Sequence, residues 1–419
     1  MPIISCFLCY FFDNKKYSWN GFVKNYIEIE WILFLIVFAM KISLELKSVI
    51  EILDIASRFV SKNSTLPILQ NIYLKASIDT LLIRATDMEK YIEVEQPCNV
   101  QIEGAITVNA KTFMDIMKTI DTDTVEFSVD QKSNIMTIKT TKDTFEINGI
   151  PASEYVALPE VPQDNSLSLD TSIFVKGLDK VEYAVWEKSF SPVLTWVVMK
   201  SKMEDGQPKI IFVWTDSFRL SEFKTLNTHS DDFCMIIPKV AIWDIWQVVK
   251  YAVDKEVPDM VVKYSENLVA FEIVIDGVKV VATSLLVQGN FPEYEREEVM
   301  PTQFTGKIML DKKDCENAIK KIAILTRDIN NFIQIETQGT KVLISSGKTD
   351  KGAGTTEIPA IIDWEPVSFA VNGRYITDFI RAMASDTLVF NVVNGQKPLV
   401  LMDKDDDTNR YVVRPLTNI

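Results

Sequence analysis

At 419 residues, 47% of them apolar, the chain has length for two to three domains with ordinary cores. Its formal charge of −14, from 44 basic and 58 acidic residues, argues against nucleic-acid binding by the surface as a whole but leaves open a basic stripe on one face. Five cysteines without regular spacing (Cys6, Cys9, Cys98, Cys234, Cys315) and a single histidine, His229, give no disulfide framework, no zinc site and no histidine-dependent nucleophile; no metal or cofactor is expected, and the reducing cytosol is the natural compartment.

In chain order, residues 1–39 match nothing that follows. Trp31 to Ala39 is an unbroken apolar run, shorter than the ~20 residues that span a bilayer. Glu28 and Glu30 stand where a signal peptide carries positive charge. Met40 then opens the alternating strand Lys41-Ile42-Ser43-Leu44-Glu45-Leu46 and is the expected functional start, with 1–39 a start-site artefact or an extension. A helix is predicted over 47–62, then a strand, 81–85, running into Thr86-Asp87. In the next helix, 108–120, apolar residues fall at 113, 116, 117 and 120, the i, i+3, i+4, i+7 spacing of an amphipathic helix, with Lys111, Asp115 and Lys118 opposite. An alternating strand, 124–129, and the proline-marked Leu158-Pro159-Glu160-Val161-Pro162 follow.

The series then starts again. A helix over 172–186 is followed by a strand, 210–214, that runs into Thr215-Asp216. Next come a helix over 237–249, apolar at 242, 245, 246 and 249, and a strand, 260–264. A third round has helices over 312–327 and 371–383, the latter apolar at 376, 379, 380 and 383 with Arg374, Asp378 and Arg381 opposite, and a strand over 387–392. Asp115, Asp244 and Asp378 align without a gap, so the period is that of a domain rather than of a solenoid repeat. The middle helix carries Val240 and Gln247 where the others are basic and displaces its cations to Lys239 and Lys250. The predicted class is α+β, three repeated domains of two helices each on antiparallel sheets: 40–163, 164–301 and 302–419.

Three motifs suggest chemistry and fail. Asp403-Lys404-Asp405-Asp406-Asp407 opens like a calcium loop, but Thr408 stands where glycine is needed and Arg414 where the bidentate glutamate belongs; it reads as a charged turn. Gly347-Lys348-Thr349 lacks the first glycine of a phosphate loop, having Val342, and no helix follows. Glu293, Glu295, Glu297 and Glu298 read as a solvated cluster.

With these landmarks in place, residues 40–419 resemble the bacterial DNA polymerase III beta subunit, the sliding clamp. The matches run in order: Thr65-Leu66-Pro67-Ile68-Leu69-Gln70-Asn71, Thr86-Asp87-Met88-Glu89, Thr215-Asp216-Ser217-Phe218-Arg219-Leu220, Phe291-Pro292-Glu293-Tyr294, and Tyr411-Val412-Val413-Arg414-Pro415-Leu416. The resemblance implies a non-enzymatic processivity factor. Two copies would close head to tail into a ring around duplex DNA, helices inside and sheets outside. It implies a basic lumen, for which Lys62, Lys111, Lys118, Lys239, Arg374 and Arg381 are the candidates. It also implies a groove between the second and third domains for peptides of the polymerase III alpha subunit, the clamp loader and repair proteins. That groove would be built from Leu194, Thr215, Arg219, Leu220, Pro292, Val412, Val413, Pro415 and Leu416. The implied dimer joint joins Ile324 and Leu325 of one copy to Phe145 of the other. Three positions depart from the family pattern: Ser217-Phe218 replaces Gly-His, Ser191 an arginine, and Arg414 an apolar residue. Two other classes stand beside this one: a carboxylate-dependent hydrolase using Asp216 or the Glu293 cluster, in which triplicated helices have no role, and a membrane-attached adaptor using residues 1–39.

Overall fold

In the computed structural model, which describes residues 39–184, 196–227, 231–363 and 366–416, the alternation at the start of the matched region becomes the strand Ala39–Glu45. Met40, Ile42 and Leu44 turn into the core while Lys41 and Ser43 are half-exposed. The strand pairs antiparallel with Thr124–Asp130, Met40 opposite Val129 and Leu44 opposite Val125. Residues 1–38, among them Cys6 and Cys9, and His229 lie outside the described residues.

The chain forms two units, one of Met1–Asp87 with Glu93–Ala157, the other of Met88–Ile92 with Leu158–Ile419. In the first, α1 (Leu46–Ser57) and α2 (Ala110–Met117) pack side by side. Asn109 starts α2: its side chain accepts from the Thr112 N–H at 3.1 Å and satisfies one of the unpaired donors of the first turn. Phe113, on the buried face of α2, meets Phe127 edge-on at 5.7 Å. The periodicity predicts a first helix to residue 62, yet α1 ends at Ser57. Phe59 and Val60 are drawn into the core, and the Ser61 N–H bonds the Leu69 carbonyl at 2.8 Å, so Lys62 stands beyond the helix.

The second unit holds α3 (Thr171–Asp179), α4 (Lys239–Asp254), α5 (Lys312–Thr326) and α6 (Gly373–Ala382). Asp170, Asp311 and Asn372 cap α3, α5 and α6 through their side chains. The expected helix over 172–186 stops at Asp179 and leaves one 3-10 turn, Glu182–Ala184; residues 185 and 186 lie outside the described residues. The Lys180 carbonyl explains the stop. In a continuing helix it would accept from residue 184, but here it accepts from the Ser221 hydroxyl at 2.7 Å and the Asn409 amide at 3.2 Å.

One antiparallel sheet runs through this unit from the strand Gln207–Thr215 to Arg219–Leu226 and on to Asp406–Val413 and Leu399–Asp403. Leu220 stands opposite Val412, joining the middle third of the chain to the last third edge to edge. A polar network supports the join. The Tyr183 hydroxyl donates to Asn409 Oδ1 at 3.0 Å, and Lys180 pairs with Asp406 at 3.0 Å. In the stretch 403–407 a charged turn, Lys404-Asp405, joins the last two strands, which end at Asp403 and resume at Asp406.

Candidate functional site

Where Leu220 faces Val412, three segments converge: the Thr215–Arg219 turn, the C-terminal strand, and the loop over 286–300. Leu220, Val412, Val198, Ile236, Tyr294 and Met300 belong to one buried cluster, and Trp196, Val287, Phe291 and Met402 pack on it half-buried. That second layer is the apolar surface a ligand would meet. Beside it lies a cavity of about 920 Å³ lined by Val198, Ile236, Val287, Phe291, Pro292 and Tyr294, with Lys200, Glu295 and Arg296 among its polar residues.

The turn is locked from within. Thr215 Oγ1 donates to the Arg219 carbonyl at 2.7 Å, Asp216 Oδ1 accepts from the N–H groups of Phe218 and Arg219 at 3.0 and 2.9 Å, and Ser217 takes a positive φ of 75°. The tail passes alongside: the Arg414 N–H bonds the Phe218 carbonyl at 2.9 Å and the Leu416 N–H the Ala370 carbonyl at 2.8 Å.

The expected groove residues therefore take different parts. Leu194 and the departure at Ser191 lie outside the described residues. Thr215, Leu220, Val412, Val413 and Pro415 are buried and form the floor and its support, Leu416 is half-buried, and Pro292 is exposed at the rim. Arg219, expected to line the groove, is 5% exposed. Its Nε donates to Asp216 at 2.9 Å, its Nη1 to Asp378 at 2.7 Å, and it lies 4.5 Å from the centre of the Tyr375 ring. It shapes the turn rather than offering a free cation. Sequence reasoning misses Phe291 and Tyr294 on either side of Pro292, although two aromatic residues three positions apart in Phe291-Pro292-Glu293-Tyr294 are a signal for them.

The ionisable groups here bind rather than react. Burial raises the Tyr294 phenol far above its ordinary range, and its hydroxyl donates to Glu222 at 2.8 Å. Partial burial pushes the Glu295 carboxyl up, but Lys200 and Lys202 outweigh it and hold it down to about 2, the opposite of a general acid at neutral pH. Glu293 accepts from Arg296 at 2.7 Å and Glu297 from the Thr302 N–H at 2.9 Å. Burial raises Asp216, but both its oxygens are engaged within the turn. Among the described residues no three His, Cys, Asp or Glu side chains cluster as metal ligands.

Each unit also carries basic residues on its helices. Lys111 and Asp115 on α2 and Lys118, which caps its C-terminus, are exposed, and with Lys62 they line a cavity of about 530 Å³ that Ser57, Ser61, Gln70 and Asn109 also border. Lys118 also pairs with Asp54 of α1. Arg374 and Arg381 are exposed on α6. Asp378 stands between them as expected, 3.8 Å from Arg374 and 3.7 Å from Arg381, but its side chain is only 12% exposed because it also accepts from the buried Arg219 guanidinium at 2.7 Å, which needs a second acceptor. On α4, Lys239 is half-buried, 5.7 Å from the centre of the Trp214 ring. Of the turn over 322–325 on α5, Ile322 joins the core, Leu325 is half-buried and Ile324 is 64% exposed; Phe145 is half-buried in the strand Thr144–Pro151.

The DNA polymerase III beta subunit families for the N-terminal, central and C-terminal domains match residues 40–159, 168–293 and 297–417. The beta sliding clamp of Synechococcus elongatus is 25% identical over 376 residues, 87% of this chain and 96% of its own length, and that of Caulobacter vibrioides is 23% identical over 383 residues, 90% of this chain and all of its own. Two crystal structures share the fold over 91% of this chain and the whole of theirs, each with a TM-score of 0.82 at 20% identity: the DNA polymerase III beta subunit of Thermotoga maritima and the sliding clamp of Pseudomonas aeruginosa bound to griselimycin.

Proposed function

The chain belongs to the DNA polymerase III beta subunit family, matched in each of its three domains, and from that premise we propose that it is a DNA sliding clamp, a processivity factor without catalytic activity of its own. Two copies close head to tail, each giving domains 40–163, 164–301 and 302–419, with residues 1–39 outside them. Helices α1–α6 of each copy line the channel around the DNA, and Ile324 and Leu325 of one copy meet Phe145 of the other. The compartment is the cytoplasm; no described helix is long and apolar enough to cross a membrane.

The observation that carries the reading is the recurrence of exposed cations on equivalent helices, Lys111 on α2 with Lys118 at its C-cap and Arg374 and Arg381 on α6, in a protein of net charge −14. Phosphate contacts position a protein on DNA without reading sequence, and diffuse ones let it slide. The groove over Leu220 and Val412 receives apolar peptide motifs of the polymerase III alpha subunit, the clamp loader and other clamp-binding proteins, holding them beside the DNA.

The test is salt dependence. Changing Lys111, Lys118, Arg374 and Arg381 to glutamine should weaken retention on circular duplex DNA and flatten the log–log salt slope by about 0.9 for each phosphate no longer neutralised, with dimers intact. An unchanged slope would count against these faces meeting DNA.

A further inference from the structure

The middle copy of the repeated helix is built for a different contact. Where α2 and α6 carry Lys111 and Arg374 it has Val240, and where they carry Lys118 and Arg381 it has Gln247. Met114 and Thr377 are buried in their helices, but Trp243, at the same position, is 37% exposed and Val240 is 62% exposed. The Trp243 indole stacks on Trp246 with ring centres 4.7 Å apart and planes 9° apart, and Lys250 Nζ lies 4.6 Å from the centre of the Trp246 ring. The repeat's shared carboxylate, Asp244, is turned away into a pair with Lys90.

This face holds phosphate weakly, because Asp179 and Glu182 stand near Lys239 and Lys250 and offset their charge. What it offers is a flat indole, 37% exposed, with one face fixed by its neighbour. Paired bases in a duplex are stacked on each other and show a protein only their edges, whereas an unpaired base has a free π-face.

We propose that the Val240–Trp243–Gln247 face of α4 binds single-stranded DNA, with Trp243 stacking on an unpaired base. The inference rests on the clamp reading, in which this face lines the channel. It assigns the middle helix to the single-stranded stretch at a primer–template junction and the two flanking repeats to the duplex.

The test uses the full chain and a fluorescein-labelled oligothymidylate followed by anisotropy, beside a labelled duplex of mixed sequence. Trp243→Leu, which keeps an apolar contact with Trp246, should weaken oligothymidylate binding by at least about fivefold, the low end for loss of one base–aromatic stack. Trp243→Phe, which keeps a flat ring, should restore most of it, and duplex affinity should be the same in all three proteins. Equal oligothymidylate affinity in wild type and Trp243→Leu would overturn the proposal, as would a parallel loss on both DNAs. Trp243-dependent capture of a labelled apolar peptide without Trp243-dependent DNA binding would assign the face to a protein partner and overturn it too. Retention on nicked circular DNA separates the two readings: if all three proteins are retained but Trp243 leaves oligothymidylate binding unchanged, the stacking inference alone has failed, and if wild type is not retained, the clamp reading has.

Discussion

Arg219 and Asp378 lie 159 positions apart in sequence, and Arg219 Nη1 donates to Asp378 Oδ2 at 2.7 Å. The same guanidinium holds Asp216 through Nε at 2.9 Å, so one buried cation serves two carboxylates, one on the turn beside the groove and one on α6. The arrangement is asymmetric towards mutation. Arg219→Met leaves the buried Asp216 without its cation, although Asp378 keeps Arg374 and Arg381 at 3.8 and 3.7 Å, and should cost about 3–5 kcal/mol, the range for a broken buried pair. Asp378→Asn leaves Arg219 paired with Asp216 and should cost less, about 1–3 kcal/mol. Urea unfolding of both variants measures this, and Asp378→Asn proving the more destabilising would refute the arrangement.

This pair also marks the limit of what the sequence discloses. Helical periodicity places Asp378 opposite the apolar stripe, and in an isolated helix that is the solvent face. It is only 12% exposed here because the strand pairing of Leu220 with Val412 brings Arg219 to that face. No local pattern carries such a pairing. The end of α3 is hidden for the same reason, since the Lys180 carbonyl is taken by Ser221 and Asn409 from strands much later in the chain. The α2, α4 and α6 stripes and the strand alternation are legible because each is written within one element, and the repeat because those elements recur in the same order. Of the groove, the Thr215 turn and the apolar C-terminal strand could be read directly, but the half-buried layer of Trp196, Val287, Phe291 and Met402 exists only once three segments meet.

A pH dependence follows from Glu295. Its carboxyl is held down from the usual 4.5 to about 2 in the folded chain, with burial opposing and Lys200 and Lys202 prevailing. A depressed folded value contributes stability that is complete above the unfolded value and is lost as pH falls through the folded one. With 46% of the side chain exposed, solvent screening reduces the contribution to about 1 kcal/mol or less. Glu295→Gln should therefore be slightly less stable than wild type at neutral pH, and the gap should close as the pH is lowered from 4.5 towards 2. Denaturant midpoints for both proteins across that window check the sign; a gap that widens in acid would contradict it.

The proposed joint of the ring uses a side chain with little to do inside its own chain. Ile324 is 64% exposed on α5, whereas Leu325 also packs towards Gly354. Ile324→Ala should leave the stability of the single chain nearly unchanged, since exposed substitutions fall within about 0.5 kcal/mol. If the residue is buried between two copies, the same change should cost the joint about 2–5 kcal/mol per copy. Sedimentation at nanomolar concentration should then show monomers where wild type shows dimers. An undisturbed dimer would move the joint elsewhere.

The groove is best tested on its outer layer. Leu220 and Val412 sit in the core of the sheet, and truncating them would open cavities and confound binding with folding. Phe291 and Leu416 are only half-buried, one on the loop and one on the tail, so alanine at both removes apolar surface a peptide would cover while sparing the cluster beneath. Binding energy in such sites concentrates in a few apolar anchors, each costing about 2 kcal/mol or more on truncation. Affinity for a labelled peptide from the tail of the polymerase alpha subunit should fall by about thirtyfold or more, at about 1.4 kcal/mol per factor of ten. Retention on circular DNA should persist, because neither residue belongs to the basic helix faces or to the α5 turn. Loss of retention together with peptide binding would mean that the fold itself had been damaged, which the denaturant midpoint would reveal. Unchanged peptide affinity in a folded, retained double variant would place the peptide site away from the Leu220–Val412 join.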